Sequence, residues 1–141
     1  MKNVLVLCTG NSCRSQIAEG YLRQFAGSRA AIYSAGVEVH GVNPKAVETM
    51  REDGVNIADQ TSNHIDEYRH LSFDFVITVC DSAKERCPFF PTAAQKFHYN
   101  FPDPAKATGT PEEVRSQFAA VRDQIRSFCR EWAKAYLEKV T

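Results

Sequence analysis

Val4-Leu5-Val6-Leu7-Cys8-Thr9-Gly10-Asn11-Ser12-Cys13-Arg14-Ser15-Gln16-Ile17-Ala18 is the stretch on which the architecture turns. Asn3 to Leu7 is a short continuous apolar run, which suits a strand buried on both faces of a parallel sheet. A polar turn follows. Ile17, Ala18, Tyr21, Leu22 and Phe25 then recur at helical spacing until Gly27 offers a stop.

The remaining elements extend this alternation. Ala31 to Ala35 reads as a second strand ending at Gly36. Asn43 and Pro44 supply the cap and first position of a helix through about Asp53, closed by Gly54. Residues 58–70 are polar, with a short helix expected from near Asn63. Phe73 to Val79 is a β-branched and aromatic strand, and Lys96 to Asn100 a weaker fourth one. From Pro111 onward, Val114, Phe118, Val121, Ile125, Phe128, Trp132 and Tyr136 recur at steps of three and four, predicting a long amphipathic helix. The order of elements indicates a small α/β fold with right-handed crossovers. A chain of 141 residues that is 43% hydrophobic can bury one core, and no repeat, linker or low-complexity tract divides it, so residues 1–141 are read as a single domain.

Seventeen basic and seventeen acidic side chains cancel, which leaves no global field to recruit nucleic acid or an acidic membrane surface. Any anion site must be local. The apolar run before Thr9 is too short for a secretory signal, and no run approaches the roughly 18 apolar residues of a membrane span. A soluble, cytoplasmic protein is expected. In a reducing cytoplasm five cysteines are reactive, metal-binding or merely buried rather than structurally bridged. His40, His64, His70 and His98 have no paired metal-ligand spacing, and no metal site is assigned.

The loop after the first strand is where chemistry is expected. Successive N–H groups of Thr9, Gly10, Asn11, Ser12, Cys13 and Arg14 can point into one concavity, and the positive end of the following helix adds to their pull on an oxyanion. Gly10 permits close backbone approach, and the Arg14 guanidinium can grip two oxygens at once. The same field favours a thiolate, which makes Cys8 the nucleophile, with Ser15 spaced to donate a hydrogen bond to it. Cys13 is expected to pack beneath the loop. A cysteine and an arginine six apart mean little alone, but the buried strand ahead and the helix behind give the pair a place to act. Asp103, before a proline and after the fourth strand, is positioned to be a general acid.

This loop, with Ser34-Ala35-Gly36 and Asp103-Pro104, resembles the low-molecular-weight protein tyrosine phosphatase family over nearly the whole chain. The resemblance implies a single-domain, three-layer fold with a four-stranded parallel sheet in the order 2-1-3-4 and helices on both faces. Within the family, Ser12, Gln16 and His40-Gly41-Val42-Asn43-Pro44 resemble the thioredoxin-coupled arsenate reductases. Phosphatases tend to carry ring-walling aromatics after Asp-Pro, where this chain has Ala105 and Lys106. Cys80 and Cys87, with six residues between them after the third strand, match the reductase pattern. In the implied sheet order strands one and three are neighbours about 4.8 Å apart, so Cys8 and Cys80 emerge side by side. Residues 81–86 are polar enough to unravel cheaply and let Cys87 approach.

The resemblance thus implies that Cys8 attacks arsenate, with phosphate or sulfate as analogues, and that Cys80 and Cys87 complete a disulfide relay emptied by thioredoxin. One alternative is a phosphatase in which water resolves the covalent intermediate. Another is a non-catalytic phosphate-binding or redox-sensing module, which leaves Asp103 and the three cysteines unexplained. Cys129, beside Phe128 on the last helix, is expected to be inert. Some reductases of this group hold potassium through residues matching Asn11, Glu19, Ser34 and a carboxylate. Asn63 stands at the carboxylate position here, which weakens such a site, and no cofactor is required on this reading.

Overall fold

Val4, Leu5, Val6 and Leu7 are all fully buried, as a strand covered on both faces must be. The computed structural model describes residues 1–81 and 93–137. Within them the order is β1 (Lys2–Leu7), α1 (Arg14–Ala26), β2 (Ala30–Ala35), α2 (Pro44–Glu52), β3 (Phe75–Thr78), β4 (Gln95–His98) and α3 (Pro111–Tyr136). The strands form one sheet in the order β2-β1-β3-β4, every pair parallel. Leu7 is in register with Ala35 on one side and Thr78 on the other, so the chain leaves all three strands at one edge.

Alternation along β1 divides the core. Val4 and Val6 pack with Ile17, Tyr21 and Leu22 of α1, Met50 of α2 and Ile125 of α3. Leu5 and Leu7 face the other way, against Ile65, Phe73 and Val76. Among the described residues, the second face is therefore closed by a 3-10 turn, Ile65–Tyr68, rather than by an α-helix. Residues 58–70 contain too few apolar side chains for a long buried stripe, and His64 caps the turn by accepting from the Asp66 amide.

The helix limits follow from their end residues. Asn43 caps α2 by accepting from the Lys45 amide, with Pro44 in the first turn. Thr110 and Glu113 form a reciprocal capping box at the start of α3. Along α3 the residues on the sheet side are Phe118, Val121, Ile125, Cys129, Trp132 and Ala133. Cys129, not Phe128, takes the innermost position, and Phe128 packs at the margin against Tyr99 and Phe101. Each fully buried large apolar side chain contributes about 1.5–3 kcal/mol, so α3 and α1 together close this face.

Candidate active site

The segment between β1 and α1 is a loop only because other segments satisfy its carbonyls. Thr9 C=O accepts from the Val37 and Glu38 amides at 3.0 Å, and Gly10 C=O from His40 N–H at 3.2 Å. Asn11 C=O accepts from Gln16 Nε2 at 3.0 Å and from the Ser62 hydroxyl at 2.8 Å. Ser12 C=O accepts from Asn43 N–H at 3.1 Å. A trans peptide points its N–H opposite its C=O. Carbonyls held on the outside therefore leave the loop amides for the concave side, as an anion cradle requires.

Two local features allow this curvature. Asn11 has φ of 48°, the left-handed region, and its side chain fixes it there: Oδ1 accepts from Asn63 N–H at 2.7 Å and Nδ2 donates to Ser15 Oγ at 2.7 Å. Gly36, at the end of β2, lies against the back of the loop. A Cβ at position 36 would sit 2.6 Å from Thr9 O and 2.8 Å from Cys8 O.

Cys8 lies at the floor of this concavity, 2% exposed, with Sγ 2.9 Å from Ser15 Oγ. Ser15 Oγ also accepts from Asn11 Nδ2, a donor-only group, which leaves the Ser15 proton free to be donated to Cys8. Arg14, also buried, donates through Nη1 to Phe101 C=O at 3.2 Å and places Nη2 3.6 Å from Asp103 Oδ2. The other Asp103 oxygen caps the following 3-10 turn by accepting from Ala105 N–H at 3.0 Å. Cys8, Gly10, Arg14, His40, Asp103 and Lys106 line one cavity of about 430 Å³.

The sequence-selected residues of the loop and Asp103 converge on this cavity. Cys8, Thr9, Gly10, Ser12, Cys13, Arg14 and Asp103 border this cavity; Asn11 and Ser15 support it from behind. Cys80 follows β3. Thr78 is level with Leu7 and Val79 N–H donates to Leu7 C=O, which sets Cys80 one residue beyond the level of Cys8 on the neighbouring strand. Cys80 is fully buried and disulfide-bonded, whereas Cys8, Cys13 and Cys129 are free thiols. Cys87 lies outside the described residues.

Environment separates the other two thiols from Cys8. Burial pushes the Cys13 thiol up to about 12, and the neighbouring Asp103 charge adds to the effect, so Cys13 stays protonated. Burial alone raises Cys129 further still, and its sulfur faces Ala18 C=O.

Two contributions were not assigned from the sequence. His40 lies over Gly10, its Nδ1 2.7 Å from where a Gly10 Cβ would be, and pairs with Glu38 at 3.4 Å. Residues 60–63 brace the loop from behind: Thr61 C=O accepts from Gln16 Nε2 at 2.9 Å, and Gln60 Nε2 donates to Gln16 Oε1 at 2.8 Å.

The four positions implied for potassium do come together, but they do not fit a cation. Glu19 Oε2 holds the Arg23 guanidinium at 2.7 Å, and Oε1 accepts from Ser34 Oγ. Asn11 Oδ1 is taken by Asn63 N–H, and Asn63 Oδ1 accepts from Thr61 Oγ1 at 2.7 Å.

A parallel-sheet edge carrying a cysteine, a converging arginine and an aspartate beneath a curled loop defines a protein of the cysteine-phosphatase architecture. More specifically, the chain belongs to the low molecular weight phosphotyrosine protein phosphatase family, whose model matches residues 3–141. It is 46% identical over 133 residues to the arsenate reductase of Bacillus subtilis strain 168, an alignment covering 94% of this chain and 96% of that protein. Among solved structures, an arsenate reductase in the phosphate binding state superposes with a TM-score of 0.79 at 29% identity, covering 98% of this chain and 100% of the other. An arsenate reductase in the oxidized state gives 0.80 at 28% identity, covering 96% and 98%.

Proposed function

We propose that this chain reduces arsenate to arsenite, using Cys8 as nucleophile and a relay through Cys80 and Cys87 that a thioredoxin-type dithiol empties. Cys8 attacks the arsenic of arsenate held by the loop amides and Arg14. Asp103 protonates the departing hydroxide, which leaves as water, and a Cys8–arsenic bond remains. Cys80 then attacks Cys8 Sγ. The electron pair of the sulfur–arsenic bond passes to arsenic, arsenite leaves as As(III), and a Cys8–Cys80 disulfide forms. Cys87 attacks Cys80, which frees Cys8 and leaves a Cys80–Cys87 disulfide for the external dithiol.

The observation that carries this reading is the state of the cysteines around one edge of the sheet. Cys80 is disulfide-bonded and Cys8 is a free thiol, the distribution that the last internal step leaves behind. The arsenate reductases that align along the whole chain support the same substrate. A reducing cytoplasm is the compartment that this chemistry calls for, and no helix of the described residues is long and apolar enough to cross a membrane.

The test is formation of arsenite from arsenate with purified thioredoxin, thioredoxin reductase and NADPH. Steady NADPH oxidation dependent on both arsenate and thioredoxin is expected. Hydrolysis of an aryl phosphate with no arsenite formed would instead favour the phosphatase reading, which uses the same Cys8, Arg14 and Asp103.

A further inference from the structure

We infer that Arg23 is the built-in cation of the Asn11–Glu19–Ser34 cluster, a positioning residue that holds the Cys8 loop and makes it indifferent to potassium. It rests on the reading of Cys8 as the reacting thiol.

The argument follows one chain of hydrogen bonds. Arg23 stands one turn after Glu19 on α1 and donates to Glu19 Oε2 through Nε at 2.8 Å and through Nη2 at 2.7 Å. Its Nη2 also donates to Ile32 C=O on β2 at 2.8 Å, which fixes the guanidinium between helix and sheet. Glu19 is 5% exposed, and burying a carboxylate is costly without a paired charge, which Arg23 supplies. Its other oxygen accepts the Ser34 proton. With that proton committed, Ser34 Oγ presents a lone pair to Asn11 Nδ2 at 3.0 Å.

The orientation of the Asn11 amide is thereby set from two sides. Its NH₂ faces the two serines, Ser34 and Ser15, and its oxygen accepts from Asn63 N–H. The second Asn11 donor occupies one Ser15 lone pair, which holds the Ser15 hydroxyl in place 2.9 Å from Cys8 Sγ with its proton free for the sulfur. Without Arg23 the Glu19 carboxylate would lose the N–H groups that fix its orientation, and the acceptor of the Ser34 proton, with the bonds from there to Cys8, would be free to turn.

An external cation would have to compete with this guanidinium for Glu19. Asn63 adds no negative charge, since its Nδ2 donates to Glu67 at 3.1 Å and its oxygen is held by Thr61. A polar cavity of about 340 Å³ lies over Glu19, Arg23, Ser34 and Asn63. Removing the Arg23 charge would leave the buried carboxylate unpaired beside this cavity, and potassium could then enter as a substitute.

The experiment compares wild type, Arg23→Gln, Arg23→Lys and the Glu19→Gln, Arg23→Gln double variant in potassium chloride and in tetramethylammonium chloride of equal ionic strength. Two readouts are taken without arsenate: the melting temperature, and the rate of Cys8 carboxamidomethylation by iodoacetamide, located by peptide mass. Wild type is expected to be the same in both salts. Arg23→Gln should lose alkylation rate severalfold in tetramethylammonium and recover rate and melting temperature as potassium is added, because a ligand bound only by the folded state raises stability. Arg23→Lys should stay near wild type, and the double variant should not respond to potassium. A saturable potassium response of wild type would overturn the inference, as would wild-type alkylation by Arg23→Gln in tetramethylammonium. Should Arg23→Gln fail to fold, the wild-type salt comparison and Arg23→Lys still decide. None of these readouts uses arsenate, so failure here and failure of the arsenate reading are separately visible.

Discussion

Gly36→Ala tests whether the loop is held in shape by its contact with the end of β2. The added Cβ would lie 2.6 Å from Thr9 O, 2.8 Å from Cys8 O and 2.9 Å from Asn11 N, all backbone atoms. Carbon–oxygen contacts of this kind settle at about 3.3–3.6 Å, so either the loop or β2 must retreat by roughly 0.7 Å. Overpacking of one methyl group costs about 1–3 kcal/mol. For a domain of this size, at about 3–4 °C per kcal/mol, the melting temperature should fall by about 3–12 °C. Because a 1 Å misplacement of reacting groups can cost about 100-fold, arsenate reduction should fall by about 10- to 100-fold in kcat/KM. Gly54→Ala supplies the contrast. Its φ of 79° makes alanine strained by about 1–2 kcal/mol, yet nothing lies within 4 Å of the new Cβ. That variant should melt lower and turn over normally. Wild-type turnover and melting in Gly36→Ala would refute the reasoning, as would an equal loss of turnover in Gly54→Ala.

Arg14→Lys should lose most arsenate turnover although the charge is kept, because a single ammonium cannot serve an oxyanion, Phe101 C=O and Asp103 together; steady-state kinetics at saturating thioredoxin check this. Cys80→Ser should stop arsenate turnover and keep weak aryl phosphate hydrolysis, while Cys87→Ser should still yield about one arsenite per enzyme in a single turnover, with mass spectrometry showing a Cys8–Cys80 disulfide. Hydrogen bonds from Tyr21 and then Arg126 hold the Asp53 carboxyl below the usual aspartate range, so its stabilisation is present above about pH 3.9 and is lost as pH falls through the lowered folded value. Asp53→Asn should therefore cost about 1–3 kcal/mol at neutral pH, a gap in urea midpoints that closes as the pH is taken well below that range.

The fold was legible wherever a single segment carries its own reason. The four-residue apolar run before Cys8 could only be a doubly covered strand, and Asn43-Pro44 and Gly27 marked helix ends through local backbone chemistry. Cys8, Arg14 and Ser15 could be assigned to one site because seven residues of loop and first helical turn bring them together. Less was legible where partners come from far along the chain. The turn at Ile65–Tyr68 closes one face of the sheet by burying Ile65 alone, a signal too small for periodicity to show. Ser62 and Asn63 brace Asn11, and Thr61 braces Gln16, from far along the chain, and nothing in their composition distinguishes a brace from a solvated loop.

The cysteines show where that boundary lies. Cys8, Cys13 and Cys129 are all nearly or fully buried and all free, so burial alone cannot rank them. Cys13 is five residues from Cys8 and borders the same cavity, yet Asp103 and burial keep it a thiol. Cys129 lies in the apolar core with its sulfur facing Ala18 C=O. Cys8 differs by what surrounds it: a hydroxyl at hydrogen-bond distance, an arginine beside the aspartate across the cavity, and a helix beginning six residues later. The helix and the arginine are encoded within one short stretch and could be read there. The placement of the Ser15 hydroxyl depends on Asn11, Ser34, Glu19 and Arg23, four residues on three segments, and became visible only when folding brought them into contact.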